Sequence, residues 1–330
     1  MNLYIIRSLR ILYKPFDFLH RALNKVLCRK SHKAWLTDKY VEYFDQQGND
    51  LIYRTIKAGK PAMICKFGTY ELWYTIAYFL NKYDSSCRNQ LDAIRGLVNV
   101  DKKVALKPLC SNAGFFPCDI SFADKYAELV LNDFKSVDIL ASYIMQEKYI
   151  STLNSCVKRV NLDALYAPYR FKKPWSSCLE GKKVVVIHPF VETIASQYEK
   201  RQLLFKDETV LPHFASLHFI KAVQSIGGNQ TNYSDWFKAL EYMENELDKL
   251  DYDIVLIGCG AYGFNLAAYA KRQGKIAIHL AGWTQMLFGI YGNRWKDDQR
   301  YSSFINEYWV RPSLGETPKN ATKIENACYW

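Results

Sequence analysis

Short apolar runs recur along the chain, each bordered by a turn and a stretch of helical period. Residues 62–67, 137–141, 184–187, 253–257 and 275–280 are such runs. A run that is apolar at nearly every position suits a strand covered on both faces, as in a parallel sheet. Between the runs the period lengthens. Trp73, Ile76, Ala77 and Phe79 mark a helix after the first, residues 123–135 form one before the second, and residues 235–250 form one ahead of Asp253. Phe264 to Arg272 reads as the next, with Gly274 placed to end it. Residues 36–60 read as helical up to the break at Gly59-Lys60-Pro61, 89–97 as a helix and 221–226 as a further strand. Residues 111–117 read as a turn-rich loop, 144–180 as mixed with ordered loop near Pro168, Pro174 and Trp175, and the tail from Gly315 as loosely held. This alternation predicts an α/β fold: a mostly parallel sheet with helices on both faces.

The first 35 residues follow a different pattern. Arg7, Arg10, Lys14, Asp17, Arg21, Lys25 and Arg29 recur every three or four positions, with Leu3, Ile5, Ile6, Leu9, Leu12, Phe16, Leu19, Leu23, Val26 and Leu27 between them. That predicts an N-terminal amphipathic helical segment with a basic stripe, bent near Pro15. With Lys30 and Lys33 the segment holds eight basic residues against one acidic, +7 of the chain's formal +11. Charge recurs too often for a bilayer span or a secretory signal. Two readings stay open: a surface anchor on anionic lipid, or a helix packed on its own domain with a solvated basic face. Nothing later in the chain resembles a base-reading surface, so nucleic acid is not an expected partner. The chain divides into a basic helical region, 1–54, and an α/β domain, 55–330.

At 330 residues, 49% hydrophobic and 15% aromatic, there is ample core material and no case for general disorder. Nine cysteines, an odd number with no C-x-x-C pair, read as reduced and mostly buried thiols in a cytosolic setting. None of the six histidines sits at ligand spacing from a cysteine pair, so structural zinc is not expected.

Three strand–turn–helix junctions carry the candidate chemistry. The first has Lys66, Gly68, Thr69 and Glu71; the second has His188, Glu192 and Thr193, with Gln197, Lys200 and Arg201 beyond. At the third, Gly258-Cys259-Gly260-Ala261-Tyr262-Gly263 fits G-x-G-x-x-G, the turn that lets a phosphate approach a helix N-terminus. A dinucleotide site adds an acidic residue about 20 positions on. Here residues 254–296 hold no acid but five bases, Lys271, Arg272, Lys275, Arg294 and Lys296. That favours a phosphate-bearing ligand over a nicotinamide dinucleotide. Each junction also has a plainer reading: a tight turn without ligand, a carboxylate that steadies its own helix, or a histidine satisfied in a turn.

Lys66-Phe67-Gly68-Thr69-Tyr70-Glu71-Leu72, His188-Pro189-Phe190 with Glu192, residues 197–201, the glycine turn, Gln285-Met286-Leu287-Phe288-Gly289-Ile290 and Gly292-Asn293-Arg294-Trp295 together resemble the GT-D type glycosyltransferase-like proteins of bacterial polysaccharide clusters. The resemblance spans residues 55–312. It implies a Rossmann-like sheet and transfer of a sugar from a nucleotide-diphosphate sugar to a glycan or lipid-linked acceptor. In the cell it implies surface polysaccharide assembly (lipopolysaccharide or capsule), in the cytoplasm and at the inner membrane face. It also implies an Asp-x-Glu motif for Mn²⁺ or Mg²⁺ after Phe-Gly; here Thr69 holds the Asp position, Glu71 the Glu position, and Lys66 the expected Arg. On this footing Lys66, Gly68, Thr69, Gly258, Gly260, Tyr262, Gly263, Gln285, Arg294 and Trp295 would hold the nucleotide sugar, with Trp283 and Trp295 able to stack. Glu192 is the expected base, Glu71 the second choice and the one retained metal ligand, and His188 an orienting group. A non-catalytic nucleotide-sugar-binding protein and a peripheral membrane scaffold are the alternatives.

Overall fold

A computed structural model describes residues 3–26, 40–318, 320–323 and 327–330. Leu27, Arg29, Lys30 and Lys33 of the basic segment, and residues 36–39 of the expected helix, lie outside the described residues. Seven strands form one parallel sheet: β1 (Ala62–Cys65), β2 (Ile139–Ser142), β3 (Lys158–Asn161), β4 (Lys183–His188), β5 (Ser216–Lys221), β6 (Ile254–Ile257) and β7 (Ile276–His279). Their order is β3-β2-β1-β7-β6-β4-β5. The helices that matter below are α1 (Leu3–Val26), α2 (Asp45–Lys57), α3 (Thr69–Lys82), α4 (Cys87–Ile94), α5 (Lys102–Ala113), α6 (Ile120–Phe134), α7 (Leu162–Tyr166), α8 (Val191–Glu199), α9 (Trp236–Asp248) and α10 (Gly263–Arg272). Residues 54 and 55, where the sequence divides, both lie inside α2.

The apolar runs form strands because both sides of the sheet are covered. Met63, Cys65, Val185, Ile187, Val255 and Ile257 face a core built with α3, α6, α9 and α10. The alternate residues Ala62, Ile64, Val184, Val186, Ile254 and Leu256 face a second core built with α2 and α7. The fold is thus Rossmann-like α/β, preceded by the N-terminal helix. From β4 the chain crosses the second face through α8 outward to β5. From β6 it crosses the first face through α10 in the opposite direction, to β7. The two connections part above the neighbouring ends of β4 and β6, and such a switch point opens a crevice beyond the carboxyl ends of the strands.

Several expectations need correction. Strand β5 ends at Lys221, where the sequence suggested one would begin; Ser216–Lys221 is in register with all of β4, from Lys183 to His188. As an edge strand it is only half-buried, so its period is blurred by polar residues. Residues 111–113 are the last turn of α5, closed by Gly114 at φ 84°. Strand β3, at the opposite edge, was hidden in the mixed region by its polar sequence, KRVN. Cys110 and Cys118 form a disulfide, their Cα atoms 5.8 Å apart across the end of α5. Cys65, Cys178, Cys259 and Cys328 are buried thiols, while Cys87 and Cys156 are exposed. The tail is not loose: Glu316, Ala321, Cys328 and Trp330 are buried.

Candidate functional site

A pocket of about 290 Å³ lies over the carboxyl ends of the strands, where the switch point predicts one. The β1–α3 junction brings Lys66, Gly68, Thr69 and Glu71 to its wall, β4 brings His188, and β6 brings Gly258, Gly260 and Tyr262. β7 brings His279, the segment after it brings Trp283, Gln285 and Arg294, and the chain's last described residues, Tyr329 and Trp330, complete the wall.

The first junction is built around Tyr143, which follows β2. Its hydroxyl donates to the Phe67 carbonyl at 2.9 Å, lies 3.0 Å from Thr69 Oγ1, and accepts from Lys66 Nζ at 3.0 Å. Burial alone would discharge Lys66. Tyr143, Tyr166 and Glu71 outweigh that burial and hold the ammonium above its ordinary range, so it stays charged. Glu71 sits in the first turn of α3, and its carboxylate folds back against the Gly68 Cα. Burial raises its pKa, opposed by Lys66 and by hydrogen bonds from the backbone N–H groups of Glu71 itself and Tyr70. The plainer reading of Glu71 therefore holds locally, since the carboxylate steadies its own helix. It is also the one carboxylate among the described residues that line the pocket.

Two histidines face the pocket uncharged. His188 Nδ1 accepts the Phe190 N–H at 3.0 Å, which places the ring proton on Nε2. Burial lowers its pKa to about 3. His279 ends β7; burial, reinforced by the Lys66 charge, lowers it to about 3 as well. Neither ring nitrogen of His279 has a hydrogen-bond partner in the protein, nor has Gln285 Oε1, although Gln285 Nε2 donates to the Tyr329 carbonyl at 3.0 Å. Buried polar atoms left unmatched cost about 1–3 kcal/mol each.

The glycine turn works at close quarters. Gly260 sits at φ 58°, and a Cβ there would be 2.9 Å from the Ala113 carbonyl at the end of α5. Gly263 is not on the pocket wall: the His279 ring lies against its Cα, so it acts on the site by admitting that ring. Trp295 is not on the wall either. It is buried behind Trp283, with ring centroids 5.4 Å apart, and serves as core. Arg294 does reach the wall. Its guanidinium stacks on the Tyr329 ring, 4.7 Å from the centroid, and donates to the Tyr329 hydroxyl at 3.2 Å.

The second junction corrects the choice of base. Glu192 points away from the pocket, more than half exposed, and pairs with Lys221 at 2.7 Å. The Lys221 ammonium beside it holds its carboxyl down at about 2, a poor base. The N-terminus of α8 is closed to an outside anion as well. Glu316 occupies it, its Oε1 accepting from the N–H groups of Glu192 at 2.9 Å and Thr193 at 3.3 Å, while Oε2 accepts from Ser313 Oγ at 2.8 Å. Gln197 is turned to the C-terminal segment, donating to the carbonyls of Gly289 and Tyr308.

A divalent cation does not fit this donor set. Glu71 is a single carboxylate beside an ammonium and already holds backbone N–H groups, and Thr69 Oγ1 is engaged with Tyr143. Among the described residues no three His, Cys, Asp or Glu side chains gather as metal ligands.

Some further wall residues leave a trace in the sequence. His279 ends an apolar run as His188 does, and Tyr143 follows another. Tyr329 and Trp330 left none, because their place depends on contacts with residues far away in the chain. Fold and site together define a Rossmann-like α/β protein with a cationic pocket at its switch point. No family model, curated protein or solved structure matches the chain.

Proposed function

We propose that the pocket binds a nucleotide-diphosphate sugar and that the protein is a glycosyltransferase, moving the sugar to a hydroxyl of a glycan or lipid-linked acceptor in surface polysaccharide assembly. The observation that carries this reading is the meeting of two cations, Lys66 and Arg294, with the neutral His188 in one partly apolar pocket. As the bond from the anomeric carbon to the diphosphate breaks, negative charge grows on the leaving oxygen. Lys66, Arg294 and the His188 Nε2–H can stabilise that charge where water is scarce. The acceptor oxygen bonds to the anomeric carbon and its proton passes to Glu71, whose raised pKa makes it a better base than an exposed carboxylate. Tyr329 and Trp283 offer flat surfaces for a base or sugar ring. No step is routed through a metal.

A thermal-shift panel of UDP-, GDP-, CMP- and dTDP-sugars tests this. A ligand at about 100 times its dissociation constant stabilises the fold by about 2.7 kcal/mol. One nucleotide-diphosphate class should give such a shift, with and without EDTA; Lys66→Met and Arg294→Met should abolish it, and Glu192→Gln should leave it intact. If no nucleotide sugar shifts a folded sample, the reading fails. Binding without turnover is the second reading, favoured by Thr69 at the expected Asp position and its engagement with Tyr143. Release of free sugar from the bound donor separates the two.

A further inference from the structure

We propose that α1 lies flat on an anionic membrane surface, with its outward apolar sector inserted among the lipids. Leu9, Leu12, Phe16, Leu19 and Leu23 follow one another at intervals of three and four residues, so they form one stripe along the helix. Ile11 and Phe18 run beside it. These seven side chains are between 41% and 74% exposed. Nine of the large exposed apolar residues belong to this one helix, against ten over all the other described residues. The inner side is the reverse of an ordinary amphipathic helix. Ile6 is buried, Arg7 is bonded to the Asp101 carboxylate, and the Arg10 guanidinium lies over Gly96. Arg7 and Arg10 thus fix which way the helix faces, and they hold its apolar side away from the body.

Charge and width select the occupant. Arg7 is neutralised by Asp101; the helix otherwise carries Arg10, Lys14, Arg21 and Lys25 against Asp17, a net of 4 − 1 = +3. That complements anionic headgroups. A second copy of the helix would cover only a narrow seam, the stripe from Leu9 to Leu23. It would leave Ile11 and Phe18 in water, and the positions flanking the seam, such as Ser8, Tyr13, Pro15 and Ala22, carry no charges to set a pairing. A lipid interface covers the whole sector, about half the circumference. The helix cannot instead cross the bilayer, since no helix among the described residues is long and apolar enough. At about 1.5 Å per residue it would extend roughly 36 Å along the surface.

Sedimentation of the full chain with vesicles tests the proposal, using phosphatidylcholine with and without phosphatidylglycerol. Binding should require phosphatidylglycerol and weaken as salt rises. Leu12→Glu combined with Phe16→Glu should reduce it by roughly tenfold or more, by removing apolar insertion and adding repulsion. Leu314→Glu, at a still more exposed apolar site elsewhere, should change nothing. None of these substitutions touches the core, so the melting temperature should hold, as should the response to nucleotide sugars, which is read separately. Binding that ignores phosphatidylglycerol, or that Leu12→Glu with Phe16→Glu does not weaken, overturns the proposal. So does a dimer in solution that Phe16→Glu splits while vesicles bind neither form; that outcome assigns the sector to a second copy.

Discussion

At the scale of single residues, the pocket sets opposite problems for its ionisable groups. Lys66 keeps its charge despite burial because phenol oxygens and Glu71 surround it, whereas His188 and His279 have no such partners and stay neutral. For a histidine lowered to about 3, the unfolded chain, with an ordinary pKa of about 6.5, binds protons that the folded chain refuses. The stabilisation is therefore complete above pH 6.5 and is lost as pH falls towards 3, at up to about 1.4 kcal/mol per pH unit for each ring. Both rings should keep the NMR signature of neutral imidazole down to about pH 5; a midpoint above pH 6 for either would contradict its burial. The residue scale is also where the sequence misled most. The sequence puts Glu192 just beyond the end of a strand; it lies in the first turn of α8, and position along the chain does not reveal direction around the helix axis. Its backbone N–H, not its carboxylate, is turned inward, and the partner it meets, Glu316, lies 124 residues away.

At the scale of elements, the C-terminal segment is the least expected part of the site. Glu316 caps α8, the Arg294 N–H donates to the Cys328 carbonyl at 3.0 Å, and Arg311 donates to the Trp330 carbonyl at 2.6 Å. Nothing in its composition announces this, because Gly, Pro, Asn and Lys are common there and each bond is made to a distant partner. Glu316→Gln should cost about 1–3 kcal/mol by removing an acceptor from a buried, hydrogen-bonded cap. It should also loosen the wall formed by Tyr329 and Trp330, so that nucleotide-sugar affinity falls along with the melting temperature. Unchanged affinity in a destabilised Glu316→Gln protein would separate cap from wall. The internal strands β1, β2, β4, β6 and β7 could be read in advance because they are apolar at nearly every inner position. The edge strands β3 and β5 could not, since a strand with one free side has no need of an unbroken apolar run.

At the scale of the whole molecule, the alternation of strand and helix was sufficient to foresee a parallel sheet. It was not sufficient to foresee the strand order, which is set by how each connection crosses the sheet. That order has a consequence for how the protein is made. Strand β1 pairs on one side with β2 and on the other with β7, Ala62 meeting Ile276 and Ile64 meeting Ile278. The last strand synthesised is thus inserted beside the first, at the centre of the sheet. Until it arrives, a chain emerging from the ribosome holds β1 as an open edge, with an uncharged sequence, AMIC, and no proline to guard it. Such late, long-range pairing makes for slow folding and a sticky intermediate. Refolding from denaturant should accordingly take milliseconds to seconds or longer and lose yield steeply as protein concentration rises. A chain cut short before β7 should aggregate rather than fold.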